Sequence, residues 1–134
     1  MIVIDASTMV FALSSASSQG DAARSVLSQD DLWIAPAHMP LEVIRTLRKA
    51  VVGGAMTEND VAAAFQALEA AEITYVGTNP LLLRAVWAMR HNVSAYDAAY
   101  LAVAVQHEAQ LVTLDSRLAK AAAQVAPLVS VVLL

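Results

Sequence analysis

Short hydrophobic runs separated by longer amphipathic stretches form the dominant pattern of this 134-residue chain. Five of the runs are brief, aliphatic and rich in β-branched residues, which is typical of strands in a sheet covered on both faces. They are Ile2–Ile4, Leu32–Ala35, Ile73–Val76, Leu111–Leu114 and Val129–Leu133. We therefore predict five strands.

The stretches between these runs repeat their apolar residues at helical spacing. In MPLEVIRTLRKAVVGG, Pro40 lies near the first turn, Ile44, Leu47 and Val51 share a face, and Gly53 is predicted to end the helix. Three more helices are predicted, over TENDVAAAFQALEAAE with an apolar repeat of Val61, Phe65 and Leu68, from Asn79 to Met89, and over SAYDAAYLAVAVQHE. The first and last of these three open with the spacing of a capping box, Thr57 with Asp60 and Ser94 with Asp97.

Alternation of strands and helices predicts an α/β fold in which helices cover a mainly parallel sheet. No internal repeat, low-complexity tract or long linker divides the chain, so residues 1–134 are predicted to form a single domain. The longest apolar run, Ala98 to Val105, has eight residues, far short of the roughly 20 that a membrane span needs. With no visible export signal, a cytoplasmic location is expected. The absence of cysteine excludes disulfides, thiolate catalysis and cysteine zinc sites.

The net charge of −4 argues at first against a nucleic-acid substrate, because nucleic-acid binders usually present a broad basic surface. The chain has twelve acidic residues and eight Lys plus Arg residues. If four of the acids bound a divalent metal, the other eight would balance the eight basic residues. The objection from net charge to a nucleic-acid substrate is therefore weakened but not removed.

Two predicted strands end in an aspartate. Asp5 follows the first strand in MIVIDAS, and Asp115 follows the fourth in LVTLD. Ligands of open parallel sheets bind beyond the carboxyl ends of the strands, so the two carboxylates are candidates for one site. For either residue alone, an N-cap of the following helix is the simpler interpretation.

Two further acidic residues lie in the first turns of predicted helices. Asp97 precedes a stretch that is apolar on every side and therefore buried, and no Lys or Arg lies between Arg90 and Arg117. An unpaired carboxylate there is costly unless it protonates or binds a metal, although a capping role also fits. Glu42 shares a helix stripe with Arg45, so a solvated ion pair is its simpler interpretation.

Taken together, MIVIDAS, LEVIRTLRK, SAYDAAYLAVA and LVTLDSRLAKAA resemble the four acidic motifs of the PIN-domain ribonucleases. Their order and spacing are similar in particular to the VapC-type toxins of bacterial toxin–antitoxin pairs. The resemblance covers essentially the whole chain and implies a PIN-like three-layer fold, with a short-stranded sheet between layers of helices.

The resemblance implies that Asp5, Glu42, Asp97 and Asp115 form the acidic cluster that is catalytic and binds Mg²⁺ or Mn²⁺. Ser7 and Thr113 match positions whose hydroxyl groups often flank that cluster. The implied activity is endoribonuclease hydrolysis of RNA phosphodiester bonds by water activated by the metal. Some members of the family carry another acid after the last motif, where this chain has Ser116 and Arg117. The resemblance therefore leaves open whether one metal ion or two would bind.

The same resemblance implies a cognate VapB-like antitoxin, a tRNA or rRNA substrate and a homodimer. Arg45, Arg48 and Lys49 follow Glu42 and are candidates for contact with RNA phosphates, although a solvated basic face fits equally well. For the dimer, Val61, Phe65 and Leu68 or the helix from Leu81 to Met89 are candidate apolar patches. His38 lies outside the motifs but close to Glu42.

Two other classes of protein stay open. A binding module could keep the fold without catalysis. A phosphotransfer protein, such as a haloacid-dehalogenase-like phosphatase or a response-regulator receiver, also has an aspartate after its first strand. The phosphatase would need a second aspartate at the position of Ser7. The receiver would need an early pair of acids and a late lysine. Neither pattern is present.

Overall fold

The computed structural model describes all 134 residues, Met1–Leu134. Its five strands are β1 (Ile2–Ile4), β2 (Trp33–Pro36), β3 (Ile73–Val76), β4 (Gln110–Thr113) and β5 (Val131–Leu133). Its seven helices are α1 (Ala6–Ser14), α2 (Ser18–Leu27), α3 (Met39–Val52), α4 (Glu58–Ala70), α5 (Pro80–Ala88), α6 (Ala95–Gln106) and α7 (Ser116–Val125).

The strands form one sheet in the order β3-β2-β1-β4-β5, and every neighbouring pair is parallel. The chain builds outward from β1 through β2 to β3, and then crosses to the other side of β1 to add β4 and β5. The strand order therefore reverses between β1 and β4, which is where parallel α/β sheets bind their ligands. Asp5 lies at the carboxyl end of β1, next to the end of β4.

Helices cover both faces of this sheet. Successive side chains of a strand point to opposite faces, and all three residues of β1 are buried, so neither face is open at the centre. Helix α6 packs across β1, β2 and β4, and α1 packs against α2, α3 and α4. This α/β PIN-like arrangement confirms the predicted fold class. No helix has the length and apolar character needed to cross a bilayer.

The predicted strand positions are confirmed, with small errors at their ends. Leu32 lies outside β2 and is 59% exposed, because the parallel pairing with β1 begins at Trp33. On β4 the pairing begins one residue earlier than predicted, where Gln110 lies opposite Ile2, and Leu114 follows the strand. β5 begins at Val131 rather than Val129.

The predicted apolar face of α3 is confirmed at Leu47 but wrong at Ile44. Its buried residues are Met39, Val43 and Leu47, whereas Ile44 is 39% exposed. The spacing of Ile44, Leu47 and Val51 is as helical as that of the true face, and only packing against α1 and α4 distinguishes the two stripes.

The stop signal of α3 also lies one residue later than predicted. Gly53 has ordinary helical geometry, and Gly54 adopts a left-handed conformation with φ of 76°. The N–H groups of Gly54 and Ala55 donate to the carbonyls of Val51 and Ala50, which is the Schellman pattern.

The sequence analysis assigned no bounds to α1, α2 and α7. α1 follows β1 with only Asp5 between them, so no turn residue marks its start. α2 is polar over much of its length and buries only Gly20, Ala23 and Leu27. Its N-cap, Ser17, is a local signal that could have located it, and the Ser17 hydroxyl accepts a hydrogen bond from the backbone N–H of Gly20.

Candidate active site

Asp5 lies at the centre of the site, buried between β1 and α1. It is the N-cap of α1 and accepts a 2.8 Å hydrogen bond at Oδ1 from the backbone N–H of Thr8. Burial raises the pKa of this carboxyl group above its ordinary value, although the hydrogen bonds it accepts act in the opposite direction. The capping interpretation of Asp5 is therefore confirmed, and the side chain also lies at the strand end that the functional interpretation requires.

Two hydroxyl groups join Asp5 to the end of β4. The Ser7 hydroxyl donates to Asp5 at 2.8 Å and accepts from the backbone N–H of Leu114 at 3.3 Å. The Thr113 hydroxyl donates to Oδ2 of Asp5 and accepts from the backbone N–H of Asp115 at 2.9 Å. Thr113 is fully buried. The two residues thus hold the first and fourth strand ends in one fixed arrangement.

Asp115 is the N-cap of α7. Its Oδ1 accepts from the backbone N–H groups of Arg117 at 2.9 Å and Leu118 at 3.4 Å. The Arg117 Nε atom lies 3.6 Å from the same oxygen, but the Arg117 side chain is 92% exposed, so the pair is weakly held. The other carboxylate oxygen of Asp115 has no protein donor among these contacts.

Asp97 lies in the first turn of α6. The Ser94 hydroxyl accepts from the backbone N–H of Asp97 at 3.2 Å, but the Asp97 carboxylate does not return the contact, so only half of the predicted capping box forms. Burial raises the pKa of Asp97, and the negative charges of Asp115, Glu42 and Asp5 raise it further. The side chain of Ser94, the N-cap of α6, acts in the opposite direction and lowers the pKa of Asp97.

Glu42 lies in the first turn of α3 and is held by aromatic neighbours. Its Oε1 accepts from the Tyr100 hydroxyl at 3.0 Å and lies 2.8 Å from Nε2 of His38. The two atoms are within hydrogen-bonding distance, although the contact lacks the alignment of a well-formed hydrogen bond. Burial acts to raise the pKa of Glu42, but these two neighbours outweigh it and lower the pKa. The predicted pair with Arg45 is replaced by these contacts, and Arg45 contributes only a weaker charge effect.

The fold therefore brings Asp5, Glu42 and Asp115 into electrostatic range of Asp97 at the carboxyl edge of the sheet. Carboxylate oxygens are the ligands that Mg²⁺ and Mn²⁺ prefer, so the donor chemistry fits such an ion. In the structure, however, no three acidic or histidine side chains lie in a ready-made ligating arrangement. Asp5 and Glu42 are instead turned toward hydrogen-bond donors of the protein.

Sequence reasoning missed Thr8 and Tyr100 and left the role of His38 open. Thr8 follows Asp5 by three residues, which is the spacing of an N-cap contact. His38 precedes Glu42 by four residues, which places both on one side of a helix start. Tyr100 follows Asp97 by three residues on α6, and its hydroxyl group donates a hydrogen bond to Glu42. No local signal connects Tyr100 with a residue 58 positions away.

Comparison with known proteins agrees with this geometry. Residues 2–124 match the PIN domain. Ribonuclease VapC1 of Mycobacterium tuberculosis is 35% identical over 119 residues, which cover 89% of each chain.

Two solved structures share the fold. The crystal structure of Mycobacterium tuberculosis VapC20, described as a sarcin-ricin loop cleaving toxin, matches 90% of this chain and 95% of its own, with a TM-score of 0.66 and 19% identity. VapBC2 from Rickettsia felis, solved with a DNA fragment from the promoter, matches 100% of this chain and 99% of its own, with a TM-score of 0.64 and 14% identity. The match to the PIN domain and the identity to VapC1 show that this chain belongs to the PIN-domain family, among the VapC ribonucleases.

Proposed function

We propose that this protein is the toxin of a type II toxin–antitoxin pair and an endoribonuclease that requires Mg²⁺ or Mn²⁺. The observation that carries the proposal is the joining of Asp5 to the end of β4 through the Thr113 hydroxyl group, at the switch in strand order. Asp97 lies close enough for the charges of Asp115, Glu42 and Asp5 to raise its pKa. Such mutual repulsion is relieved when a cation binds. Residues 1–134 would form a single PIN domain, located in the cytoplasm with its RNA substrate.

The metal would be held by Asp97 and Asp115, with Asp5 and Glu42 completing the acidic environment. A bound Mg²⁺ or Mn²⁺ supplies an activated water near neutral pH and neutralises charge on the phosphate oxygens. Ser7 and Thr113 keep the Asp5 carboxylate in a fixed orientation between two strand ends. His38 and Tyr100 do the same for Glu42. Such fixed carboxylates limit the reorganisation needed when the substrate arrives.

The basic residues of α3 support an RNA substrate. Arg45, Arg48 and Lys49 are all exposed, and Arg45 is close enough to lower the pKa of Glu42. Guanidinium and ammonium groups in this position could neutralise phosphates on either side of the scissile bond. tRNA and rRNA are the proposed substrates, following the ribonuclease relatives.

Two protein partners belong to the proposal. The VapBC2 relative is a complex, which supports a VapB-like antitoxin as partner. A homodimer would need an exposed apolar surface, and α5 offers one through Leu81, Leu83 and Trp87. Leu68, an earlier candidate for the interface, is buried in the core and is therefore not available.

The test is cleavage of total tRNA and rRNA by the purified protein, freed of antitoxin, in Mg²⁺, Mn²⁺ or EDTA. Discrete fragments that require metal and disappear with Asp5→Asn are the expected result. Asp21→Asn is the matched control, because Asp21 is an exposed acid that pairs with Arg24 on α2, and it should cleave as well as the wild type. Intact RNA in every condition, with a folded protein, would reject the nuclease assignment.

A binding module without catalysis is the second candidate. It is favoured by the hydrogen bonds that occupy Asp5 and Glu42 and by the lack of a ready-made ligand set. Such a protein would bind its partner or RNA equally well with Asp5→Asn and in EDTA. The phosphotransfer alternative receives no support from the family assignment.

A further inference from the structure

An exposed aromatic ring stands beside the acidic site. Tyr96 directly precedes Asp97 in the first turn of α6 and is 61% exposed. Aromatic side chains are few in this protein, at 5% of residues. Single exposed rings are common on protein surfaces, and Trp87 is also exposed, so the interest of Tyr96 lies in its place next to Asp97.

The exposed ring rests on a second ring that is fixed in place. The centroids of Tyr96 and His38 are 5.1 Å apart, with an edge-to-face angle of 60°. His38 in turn contacts Tyr100 at 5.2 Å and 69°, and lies 2.8 Å from Glu42. Tyr100 is almost fully buried and donates to Glu42. A continuous chain of contacts therefore connects the surface ring to one of the acidic groups.

This arrangement has the features of a stacking platform. An edge contact fixes the position of the Tyr96 ring without requiring that its face be covered. The ring is uncharged, so it can hold a nucleotide where the neighbouring carboxylates repel the phosphate. Aromatic rings beside a backbone-binding groove bind successive bases of single-stranded nucleic acid in this way.

We propose that Tyr96 is a specificity-determining residue that stacks on an unpaired base of the RNA, one nucleotide away from the phosphate held at the acidic site, and that His38 is the positioning residue of its ring. The proposal rests on the proposed ribonuclease function. It assigns the substrate a single-stranded segment at the cleavage point, since a base within a duplex cannot reach the ring.

The first experiment measures binding of a fluorescently labelled single-stranded RNA by anisotropy. All proteins in this experiment carry Asp5→Asn, so that the RNA stays intact. The parent with this change alone is compared with proteins that also carry Tyr96→Phe, Tyr96→Ala or Tyr75→Ala. Tyr75 is the matched control because it is a partly exposed tyrosine on the outer strand β3. Tyr96→Ala should weaken binding by about 5- to 100-fold, while Tyr96→Phe and Tyr75→Ala stay close to the parent protein.

The second experiment locates the base. Oligonucleotides with one abasic nucleotide at each position near the mapped cleavage site are bound by the same variants. At one position the abasic change and Tyr96→Ala should each weaken binding, and together should weaken it no more than either alone. In the protein with Asp5 intact, Tyr96→Ala should raise KM more than it lowers kcat, and should relax the preference for the cleaved sequence.

His38 has its own test, because a positioning residue should act through Tyr96. His38→Phe keeps an aromatic edge under the ring and should preserve the binding that His38→Ala loses. Circular dichroism establishes that each variant is folded.

Equal loss with Tyr96→Phe and Tyr96→Ala would overturn the proposal, because the hydroxyl group rather than the ring face would then be responsible. Unchanged binding with Tyr96→Ala would also overturn it. If the wild type cleaves RNA in either case, the proposed function stands and only the stacking role fails. If the protein neither binds nor cleaves RNA, both fail together.

Discussion

At the scale of single residues, two aspartates of the proposed site are also helix caps. Asp5 and Asp115 are N-caps, which fixes each carboxylate by hydrogen bonds from the backbone of the helix that follows. The positive end of that helix also favours the ionised form. An N-cap therefore orients a carboxylate without consuming both of its oxygens, as Asp115 illustrates. The capping interpretation and the functional one are compatible rather than alternatives.

Thr113 offers a direct test of this fixed geometry. Thr113→Val keeps the shape of the side chain but removes the buried hydroxyl that donates to Asp5 and accepts from Asp115. We expect the free energy of unfolding to fall by about 1–3 kcal/mol, because two buried polar groups lose a partner. Cleavage should fall as well. Chemical denaturation and the RNA assay measure the two effects, and Thr113→Ser should recover most of both.

Asp97 allows a prediction about pH. The pKa values of Asp97 and Asp5 are raised in the folded protein, so the folded state binds more protons than the unfolded state just above about pH 4. The contribution of these groups to the stability of the metal-free protein therefore declines as the pH rises from that point through their raised pKa values. Glu42 acts in the opposite direction, because its pKa is lowered.

Comparing Asp97→Asn with the wild type isolates the contribution of the Asp97 carboxylate to stability. In EDTA we expect the variant to melt a few degrees higher than wild type at pH 7, and the difference to vanish near pH 4. The variant should also lose cleavage activity. Melting curves in EDTA from pH 4 to 8 provide the measurement, and a difference that does not change with pH would contradict the assignment of Asp97 as a destabilised carboxylate.

At the scale of elements, α6 is the helix whose packing is most constrained. Its residues Ala98–Ala104 are all buried, as the sequence predicts for a helix that is apolar on every side. The predicted buried stretch extended one residue too far, because Val105 is exposed. Small alanines let the helix approach the sheet closely, and its first turn then places Asp97 and Tyr96 at the carboxyl edge. The position of the site thus depends on how α6 ends as well as on how it begins.

The end of α6 is strained. Glu108 adopts φ of 51°, and the N–H groups of Glu108 and Ala109 donate to the carbonyls of Val105 and Ala104 in a Schellman pattern. The corresponding position after α3 is Gly54. A left-handed conformation is costly for residues with a Cβ atom, and glycine avoids that cost.

Glu108→Gly should therefore raise the free energy of unfolding by about 0.5–1 kcal/mol, after allowance for the greater freedom of glycine in the unfolded chain. Glu108→Ala removes the same charged side chain but keeps the Cβ atom, so it should give no gain. Urea denaturation of the wild type and both variants distinguishes an effect of backbone strain from an effect of charge. An equal gain in both variants would assign the effect to charge rather than to the backbone.

At the scale of the whole molecule, topology concentrates negative charge at one edge. The strand order reverses between β1 and β4, and the helices that start at this edge bring their acids to it. The free energy cost of this repulsion is carried by the folded state alone, because the four acids are far apart in the unfolded chain. Metal binding should therefore stabilise the fold.

We expect millimolar Mg²⁺ or Mn²⁺ to raise the melting temperature of the wild type. At a metal concentration 100 times the Kd, the stabilisation is about 2.7 kcal/mol. The shift should be much smaller in Asp97→Asn and unchanged in Asp21→Asn, and sodium chloride of equal ionic strength controls for general screening. A melting temperature that neither metal alters would count against an assembled metal site and in favour of the binding module.

Much of the site followed from the sequence because its acids are attached to strong local patterns. The β1 and β4 strands are short runs of buried aliphatic residues, and each is followed by an aspartate, so periodicity alone placed Asp5 and Asp115 at the same edge of the sheet. The apolar character of α6 likewise predicted that Asp97 would be partly desolvated, and its raised pKa confirms this. These features depend on residues that are neighbours along the chain.

Contacts between distant segments were decided only by the tertiary structure. The choice of Val43 rather than Ile44 for the inner face of α3 depends on what packs there, because both lie on helical stripes. Of the two partners of Glu42, His38 lies only four residues away, whereas Tyr100 comes from another helix and meets Glu42 only through packing. The platform of Tyr96 on His38 joins two segments in the same way. The sequence by itself determined which residue types open and close each element, because those preferences are local, whereas the folded chain decided which side chains meet, because that depends on the packing of every element at once.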